Sequence, residues 1–291
     1  MNDAILVTGA TGFIGRDLVA ALKRRGHRVE EHSSVVSDIA QSLPAFDGVR
    51  HVFHLAALTF VPKSWSASAS FYAVNVQGTV NVMEFCRRQS ASVTFLSSYV
   101  YGRPDALPIS EDHPVRAVNP YGHTKILAED VTRFYGQQFR IPVTIIRPFN
   151  VYGPDQDSRF LIPLLIDQAI DPASDVIKVA DPRPKRDYLY IDDLVELLLL
   201  TFSRKAEGTF NAGSGRSISV EQLSTLIAQQ AGCHKPIISQ ATERDNEILD
   251  VVADTSRAQR EFGWCPNVSL QTGLRKVMNH RRSVQVQTQS R

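Results

Sequence analysis

Cysteine is scarce in this sequence, and its spacing excludes two common roles. The 291 residues include three cysteines, Cys86, Cys233 and Cys265, and no Cys-x-x-Cys motif. An odd number of widely spaced cysteines argues against a disulfide framework and against a metal site built on cysteine. This cysteine usage is typical of a reducing compartment, so the sequence predicts a cytoplasmic protein without a structural metal.

Long hydrophobic runs and an excess of one charge are also lacking. Apolar runs such as residues 197–200 are far below the ~20 residues of a membrane span. A predicted strand begins at residue 4, which leaves no room for a signal peptide. The 32 basic and 30 acidic residues give a net charge of +2 with no basic stripe. Neither a membrane nor nucleic acid is therefore an expected partner.

What the chain does have is enough apolar residues, 43%, for a large core. Short apolar runs predict strands at residues 4–8, 28–32, 51–55, 93–97 and 143–147. Helical spacing predicts helices at residues 16–25, 71–88 and 121–139. This alternation predicts an α/β fold, a Rossmann-type doubly wound parallel sheet.

The character of the chain changes after residue 150, where prolines and glycines become frequent. Helices are predicted at residues 192–202, 220–231, 255–262 and 270–279, with a short strand at 251–253. We expect a dinucleotide-binding domain over residues 1–150, with residues 186–212 as candidates to return to it. A smaller mixed α/β lobe is expected over residues 151–280, followed by a disordered polar tail over 281–291.

A glycine-rich turn lies between the first predicted strand and the first predicted helix. It reads Gly9-Ala10-Thr11-Gly12-Phe13-Ile14-Gly15 and continues into Arg16. Gly9 permits the tight turn, Gly12 lets a pyrophosphate approach the backbone, and Gly15 allows close packing of helix on strand. The helix N-terminus offers free N–H groups to the phosphates. The turn therefore predicts a bound dinucleotide.

The choice between NADP and NAD depends on the end of the second strand. NAD-binding proteins usually carry an acidic residue there, whereas this chain has Ser33. A hydroxyl at that position, with Arg16 nearby, tolerates a 2′-phosphate. The sequence thus favours NADP, and NAD stays open. Asp38 and Ile39 are candidates for contacts with the adenine edge.

Tyr121 and Lys125 form a candidate proton-transfer pair. Asn119 and Pro120 predict the start of a helix, which places both side chains on one face. Free tyrosine, with a pKa near ~10, is a poor base at neutral pH, but a nearby ammonium favours the phenolate. We predict that Tyr121 exchanges a proton with a sugar-like C–OH or C=O while a nicotinamide exchanges a hydride. Both residues are also expected to contact the cofactor.

A pair of serines ends the fourth predicted strand. The carboxyl end of such a strand points into the cleft of an open α/β sheet, where a hydroxyl can polarise a substrate oxygen. The strand register favours Ser98 as the catalytic hydroxyl. Ser97 stays open, and both are candidates for substrate binding.

Together these motifs resemble the extended short-chain dehydrogenases/reductases, the NAD-dependent epimerase/dehydratase family. Further similar segments are His54-Leu55-Ala56-Ala57, Asn75-Val76-Gln77-Gly78-Thr79, Tyr99-Val100-Tyr101-Gly102, residues 147–154, Lys185-Arg186-Asp187-Tyr188 and Val252-Ala253-Asp254-Thr255. The resemblance covers residues 4 to about 278.

The resemblance implies a nucleotide-diphosphate sugar as substrate, bound by the C-terminal lobe. It also implies a homodimer formed through the helices at residues 71–88 and 121–139. By position, the residues that would line the cofactor are Leu55, Ala56, Ala57 and Pro148. Those that would contact the diphosphate or base of the substrate are Asn150, Arg186 and Arg244.

Two departures from the family pattern bear on the reaction. Family dehydratases carry an acidic pair after the catalytic hydroxyl, but Tyr99 and Val100 follow here, so dehydration is not expected. The segment from the second strand to Asp38 is short, which resembles the 4-keto reductases. The first expectation is therefore an NAD(P)H-dependent reductase of a 4-keto-6-deoxy nucleotide sugar. An NAD-dependent 4-epimerase is the alternative, and a non-catalytic NADP-sensing protein is a remote third.

Overall fold

The fold is described from a computed structural model, which covers residues 3–32, 38–41, 43–242 and 247–289. Ser33 and Arg244, two candidate site residues, lie outside the described residues. Asp38 begins a short 3-10 helix, Asp38–Ala40, and its side chain is likewise outside the description.

The strands of the described residues form one large sheet and two small ones. In chain order they are β1 (Ala4–Thr8), β2 (Arg28–His32), β3 (Val49–His54), β4 (Ser92–Leu96), β5 (Val143–Pro148), β6 (Asn150–Tyr152), β7 (Ile177–Val179), β8 (Lys185–Tyr190), β9 (Gly208–Ala212), β10 (Ser217–Ser219) and β11 (Ile237–Ser239). The large sheet has the order β2-β1-β3-β4-β5-β9, and its strands are parallel. This confirms the predicted α/β fold with a parallel sheet.

The helices pack mainly against the large sheet in the first half of the chain and against each other in the second. In chain order they are α1 (Phe13–Arg24), α2 (Val61–Ser66), α3 (Ser68–Tyr72), α4 (Gly78–Gln89), α5 (Pro120–Phe139), α6 (Leu161–Ile170), α7 (Ile191–Ser203), α8 (Val220–Ala231), α9 (Ser256–Phe262) and α10 (Leu270–Gln289). None of the described helices combines the length and the apolar character needed to cross a membrane.

Strand β1 shows why the sheet is covered on both faces. Its alternate side chains point to opposite layers, as the period of a strand requires. Val7 packs in an apolar cluster with Leu18 of α1 and Leu194 of α7. Leu6 packs in a second cluster with Met83 of α4. The continuous apolar run of this strand is thus explained by burial on two sides.

The second half of the chain contributes to both parts of the fold. Strand β9 pairs with β5, and α7 packs against α1, so these two elements belong to the layers of the large sheet. The remaining strands form a three-stranded sheet, β10-β8-β6, and a two-stranded one, β11-β7. Helices α6, α8 and α10 pack around them.

Three elements differ from the sequence-based expectation. Helix α10 continues to Gln289, so the tail expected to be disordered from residue 281 is helical as far as it is described. Arg281 explains the extension, because its guanidinium holds Asp167 at 2.9 Å. The expected strand at 251–253 is a single bridge between Ala253 and Ile109. The expected helix at 71–88 is interrupted by a π-helical turn, Ala73–Gln77.

Candidate active site

The glycine turn is a backbone surface with no room for side chains. Gly9 has φ +73°, and a Cβ there would lie 2.8 Å from the backbone nitrogen of Ala56. A Cβ on Gly15 would lie 2.0 Å from the carbonyl oxygen of Gly9. Gly12 caps the N-terminus of α1 and is exposed, as is Thr11. This bare helix N-terminus fits the pyrophosphate of a dinucleotide.

The remaining candidate residues of the turn face the C-terminal half of the chain. Phe13 and Ile14 are partly buried, and a Cβ on Gly153 would contact the Phe13 ring at 3.4 Å. Arg16 is exposed and lies 3.5 Å from the carboxylate of Asp155. Its charge is therefore already opposed by a carboxylate. That pairing weakens the sequence-based argument for a 2′-phosphate.

A hydrogen-bonded chain fixes the backbone opposite the glycine turn. His54 Nδ1 lies 2.8 Å from Thr8 Oγ1, and its Nε2 lies 3.1 Å from Thr79 Oγ1. The same Thr8 hydroxyl accepts a hydrogen bond from the Ala56 N–H. Burial, with Lys125 nearby, lowers the pKa of His54 to about 3, so the ring is neutral and structural. These hydrogen bonds hold in place the partly exposed segment that begins at Leu55 and includes Ala57.

Ile39 and Pro148 are further candidates for the cofactor site. Ile39 is buried in the apolar cluster of Leu6, and its carbonyl accepts a hydrogen bond from Asn81. The structure therefore gives the Ile39 side chain a packing role. Pro148 is buried at the carboxyl end of β5, the edge on which the cleft of such a sheet lies.

Helix α5 presents Tyr121 and Lys125 on one face. The Asn119 side chain accepts a hydrogen bond from the Gly122 N–H at 2.7 Å, so the helix starts where the Asn-Pro pair predicts. The Lys125 ammonium is buried, donates to the Leu96 carbonyl at 2.7 Å, and lies 4.2 Å from the centre of the Phe95 ring. Burial lowers its pKa to about 7, although Glu129 opposes the shift.

The two serines at the end of β4 have different environments. Ser97 donates to the Glu129 carboxylate at 2.5 Å. Ser98 Oγ is buried and has no hydrogen-bond partner among the described residues. It lies near Tyr121 without forming a hydrogen bond of normal geometry; burial raises the pKa of that phenol, and the nearby hydroxyl offsets part of the rise. A buried hydroxyl without a partner is costly unless a ligand uses it. Ser98 is therefore the serine that fits the cleft.

Asn75 connects two parts of the candidate site, although the sequence showed it only as one residue of a family-like segment. Its side-chain oxygen accepts from the Leu58 N–H at 2.9 Å, and its side-chain nitrogen donates to Thr124 Oγ1 at 2.9 Å. Thr124 in turn donates to the Tyr121 carbonyl at 2.7 Å. Asn75 thus joins the loop after β3 to the first turn of α5. The feature of the sequence that could have indicated this role is a polar residue at an apolar position of the predicted helix.

The candidate substrate residues Asn150 and Arg186 lie on the small sheet. Asn150 donates to the Asp187 carbonyl at 3.1 Å. Arg186 pairs with Glu247 and donates to the Ile248 carbonyl at 2.7 Å. Its neighbour Asp187 is fully buried and accepts from backbone N–H groups instead, so the two do not form a surface salt bridge. The Arg186 guanidinium keeps a partly exposed edge.

A bare helix N-terminus beside a Tyr/Lys pair and an unpartnered hydroxyl, on a doubly wound sheet, defines an NAD(P)-dependent oxidoreductase of the extended short-chain type. The chain belongs to the NAD dependent epimerase/dehydratase family, whose model matches residues 5–213. It is thus an NAD(P)-dependent enzyme that modifies nucleotide sugars, as the family's epimerases, dehydratases and reductases do.

The relatives act on nucleotide sugars in more than one way. The chain is 31% identical over 309 residues to a UDP-glucose 4-epimerase of Mycolicibacterium smegmatis, covering 94% of this chain and 96% of the relative. It is 29% identical over 301 residues to a GDP-6-deoxy-D-mannose reductase of Pseudomonas aeruginosa, covering 96% and 97%. A solved UDP-glucose 4-epimerase of Thermotoga maritima, with UDP-glucose, matches with a TM-score of 0.89 at 26% identity, covering 97% and 99%. Solved structures that share the fold include complexes with NAD and with NADPH.

Proposed function

We propose that this protein is an NAD-dependent 4-epimerase of a nucleotide-diphosphate hexose. The observation that carries the proposal is the buried Ser98 hydroxyl near Tyr121, on whose helix Lys125 lies, in a fold that also has a glycine turn at the N-terminus of α1. The glycines of that turn keep side chains away from the helix N-terminus, so the turn fits the pyrophosphate of the cofactor. A bound nicotinamide would supply the acceptor and donor of the carbon-bound hydrogen.

The side chains of the site handle the proton at the sugar hydroxyl. Tyr121 takes the proton from the C4 oxygen and later returns it. Ser98 donates a hydrogen bond to the same oxygen and stabilises the charge that develops there. Lys125, when protonated, favours the phenolate form of Tyr121 through its charge.

Three observations bear on the choice among the reactions of the family. Tyr99 and Val100 follow the serines, so the acidic pair that assists elimination of water is lacking at that position, which argues against a dehydratase. The more similar of the two curated relatives above is a 4-epimerase. Arg16 also pairs with Asp155 at the surface, which weakens the argument for NADP and with it the argument for the reductase.

The second candidate is an NADPH-dependent reductase of a 4-keto-6-deoxy nucleotide sugar. It is favoured by the short segment before Asp38 and by the reductase of Pseudomonas aeruginosa, which is nearly as similar as the epimerase. The same proton-transfer residues would serve it, with Tyr121 giving its proton to the oxygen of the C4 carbonyl.

The two candidates differ in whether the cofactor is consumed. The purified protein is denatured, and the released cofactor is identified by absorbance and mass. Intact protein is then incubated with UDP-glucose alone, and separately with NADPH and a 4-keto-6-deoxy nucleotide sugar. Retained NAD⁺ and formation of UDP-galactose support the epimerase. Little retained cofactor with rapid NADPH oxidation rejects it and supports the reductase.

A further inference from the structure

A buried carboxylate lies one helical turn beyond Lys125. Glu129 of α5 is 1% exposed. Its two oxygens accept a bidentate pair of hydrogen bonds from Arg147 of β5, at 2.9 Å from Nε and 2.7 Å from Nη2. Arg133, at the surface end of the cluster, donates to the same carboxylate. Burial alone would raise the pKa of Glu129, but these arginines and Ser97 outweigh it and hold that pKa below its usual range.

The cluster reaches the catalytic strand through Ser97. The Ser97 hydroxyl donates to Glu129 Oε1 at 2.5 Å, and the Ser97 N–H donates to the Ile146 carbonyl at 2.8 Å. The preceding residue, Leu96, accepts the bond from the Lys125 ammonium. Two consecutive residues at the end of β4, Leu96 and Ser97, are therefore bonded to α5 immediately before Ser98.

We propose that Glu129 is a positioning residue: through Ser97 it holds the end of β4, and with it Ser98 Oγ, in register with Tyr121 and Lys125 on its own helix. This inference rests on the proposed role of those three residues. Glu129 does not itself contact a described residue of the cleft, because its side-chain partners are Ser97, Arg147 and the surface residue Arg133.

The same carboxylate has an electrostatic effect on Lys125. The ionisable groups described around the Lys125 ammonium are Glu129 from the same helix and His54 from β3, with Arg147 of β5 behind Glu129. Of these, Glu129 supplies the negative charge. Removing it would leave Lys125 close to the uncompensated Arg147 and favour the neutral amine, so the pKa of Lys125 would fall further below its ordinary value.

The test compares three variants by a measurement that needs no turnover. Glu129→Gln removes the charge, Ser97→Ala removes the connection but keeps the Glu129–Arg147 pair, and Arg133→Gln removes a surface partner as the matched control. The free energy of unfolding of each is titrated against pH by urea unfolding, and the transition of Lys125 is assigned by subtracting Lys125→Met. The rate of UDP-glucose epimerisation is measured in parallel.

We expect Glu129→Gln to move the Lys125 transition downward by about half a pH unit or more, because the carboxylate that favours the ammonium is lost. Ser97→Ala should lower kcat by ~tenfold or more with KM within about twofold, because the hydroxyl of Ser98 is displaced. Arg133→Gln should do neither. Wild-type kcat in Ser97→Ala, or an unmoved transition in folded Glu129→Gln, overturns the proposal. If Glu129→Gln does not fold, the kcat and KM of Ser97→Ala decide whether the proposal stands. Failure of the wild type to turn over UDP-glucose rejects the proposed substrate and leaves the titration as the deciding result.

Discussion

Tyr121 is the residue on which the chemistry of the site depends, and burial works against it. Burial raises the pKa of its phenol and lowers that of the Lys125 ammonium to about 7, so both shifts disfavour the charged pair. The Ser98 hydroxyl offsets part of the first shift and Glu129 part of the second. Burial thus moves the pKa of the phenol away from neutral pH, so the proposed role of Tyr121 as a base requires nearby positive charge that favours the phenolate.

Substitution of this phenol separates catalysis from binding. Tyr121→Phe should lower kcat by ~100-fold or more, since the proton acceptor is lost, while cofactor affinity changes by less than about twofold. The measurement is steady-state kinetics together with a cofactor titration. Tyr72→Phe is the control, because Tyr72 bonds to the exposed His123 and not to the site. Equal activity in both variants would exclude Tyr121 from proton transfer.

Lys125 links stability to pH. In the unfolded chain its pKa is ~10.4, and in the folded protein it is about 7. Between these values the unfolded chain binds the extra proton, so the free energy of unfolding rises with pH through this range. Urea unfolding at about pH 7 and about pH 9.5 should show a gain on the order of 2 kcal/mol that Lys125→Met lacks. Parallel curves for both proteins would mean that the folded pKa is not depressed.

The turn between β1 and α1 is the element that the sequence identified most fully. The strand–turn–helix order and the spacing of the three glycines are local features, so composition and periodicity were sufficient. The ends of the helices and strands were harder to predict from the sequence. Helix α10 runs past residue 279 because Arg281 pairs with Asp167, more than a hundred residues away in the chain. No local pattern reports such a contact.

Two glycines of the turn should respond differently to alanine. A Cβ on Gly15 meets backbone at 2.0 Å, so Gly15→Ala should lower the melting temperature strongly. A Cβ on Gly12 would lie 3.1 Å from the carbonyl oxygen of Gly9, a milder contact. It would also stand at the helix N-terminus to which we expect the phosphates to bind. Gly12→Ala should weaken cofactor binding by ~tenfold or more with a smaller thermal effect. Calorimetric titration and thermal melts measure both. Unchanged cofactor affinity in Gly12→Ala would contradict a pyrophosphate at this turn.

The end of α10 stabilises the segment that precedes α6. Arg281 donates to Ser158 at 2.8 Å and to the Asp167 carboxylate, and its side chain is mostly buried. Arg281→Ala should cost on the order of 1–3 kcal/mol and raise amide exchange over residues 156–167. Arg282→Ala, at the next and more exposed position, is the control. Equal exchange in the two variants would show that the helix end does not hold this segment.

At the scale of the whole molecule, the sequence indicated candidate site residues but not the contacts that each of them makes. Ser97 and Ser98 are adjacent in sequence, and only the alternation of β4 against α5 directs one to Glu129 and the other to the cleft. Glu129 and Arg147 were not recognised as a pair, since burial of both charges follows from the docking of α5 on the sheet. Such long-range pairings have no periodic signal.

Two exposed phenylalanines on α5 bear on assembly. Phe134 is 57% exposed and Phe139 46%. Exposed apolar side chains of this size can mark an interaction surface, and we propose a homodimer through α4 and α5. Phe134→Asp should convert a dimer into a monomer in light scattering after size exclusion, whereas Trp65→Asp, at another exposed aromatic, should not. A wild-type monomer would reject this proposal.

The central claim is that carbon-bound hydrogen at C4 moves within the enzyme while Tyr121 exchanges only the hydroxyl proton. It is tested most directly by incubating the protein with UDP-glucose in D₂O and recording the proton NMR spectrum of the UDP-galactose formed. We expect protium at C4 of the product, because that hydrogen leaves and returns without contact with water. Deuterium at C4 would mean abstraction of a proton from carbon and would contradict the mechanism.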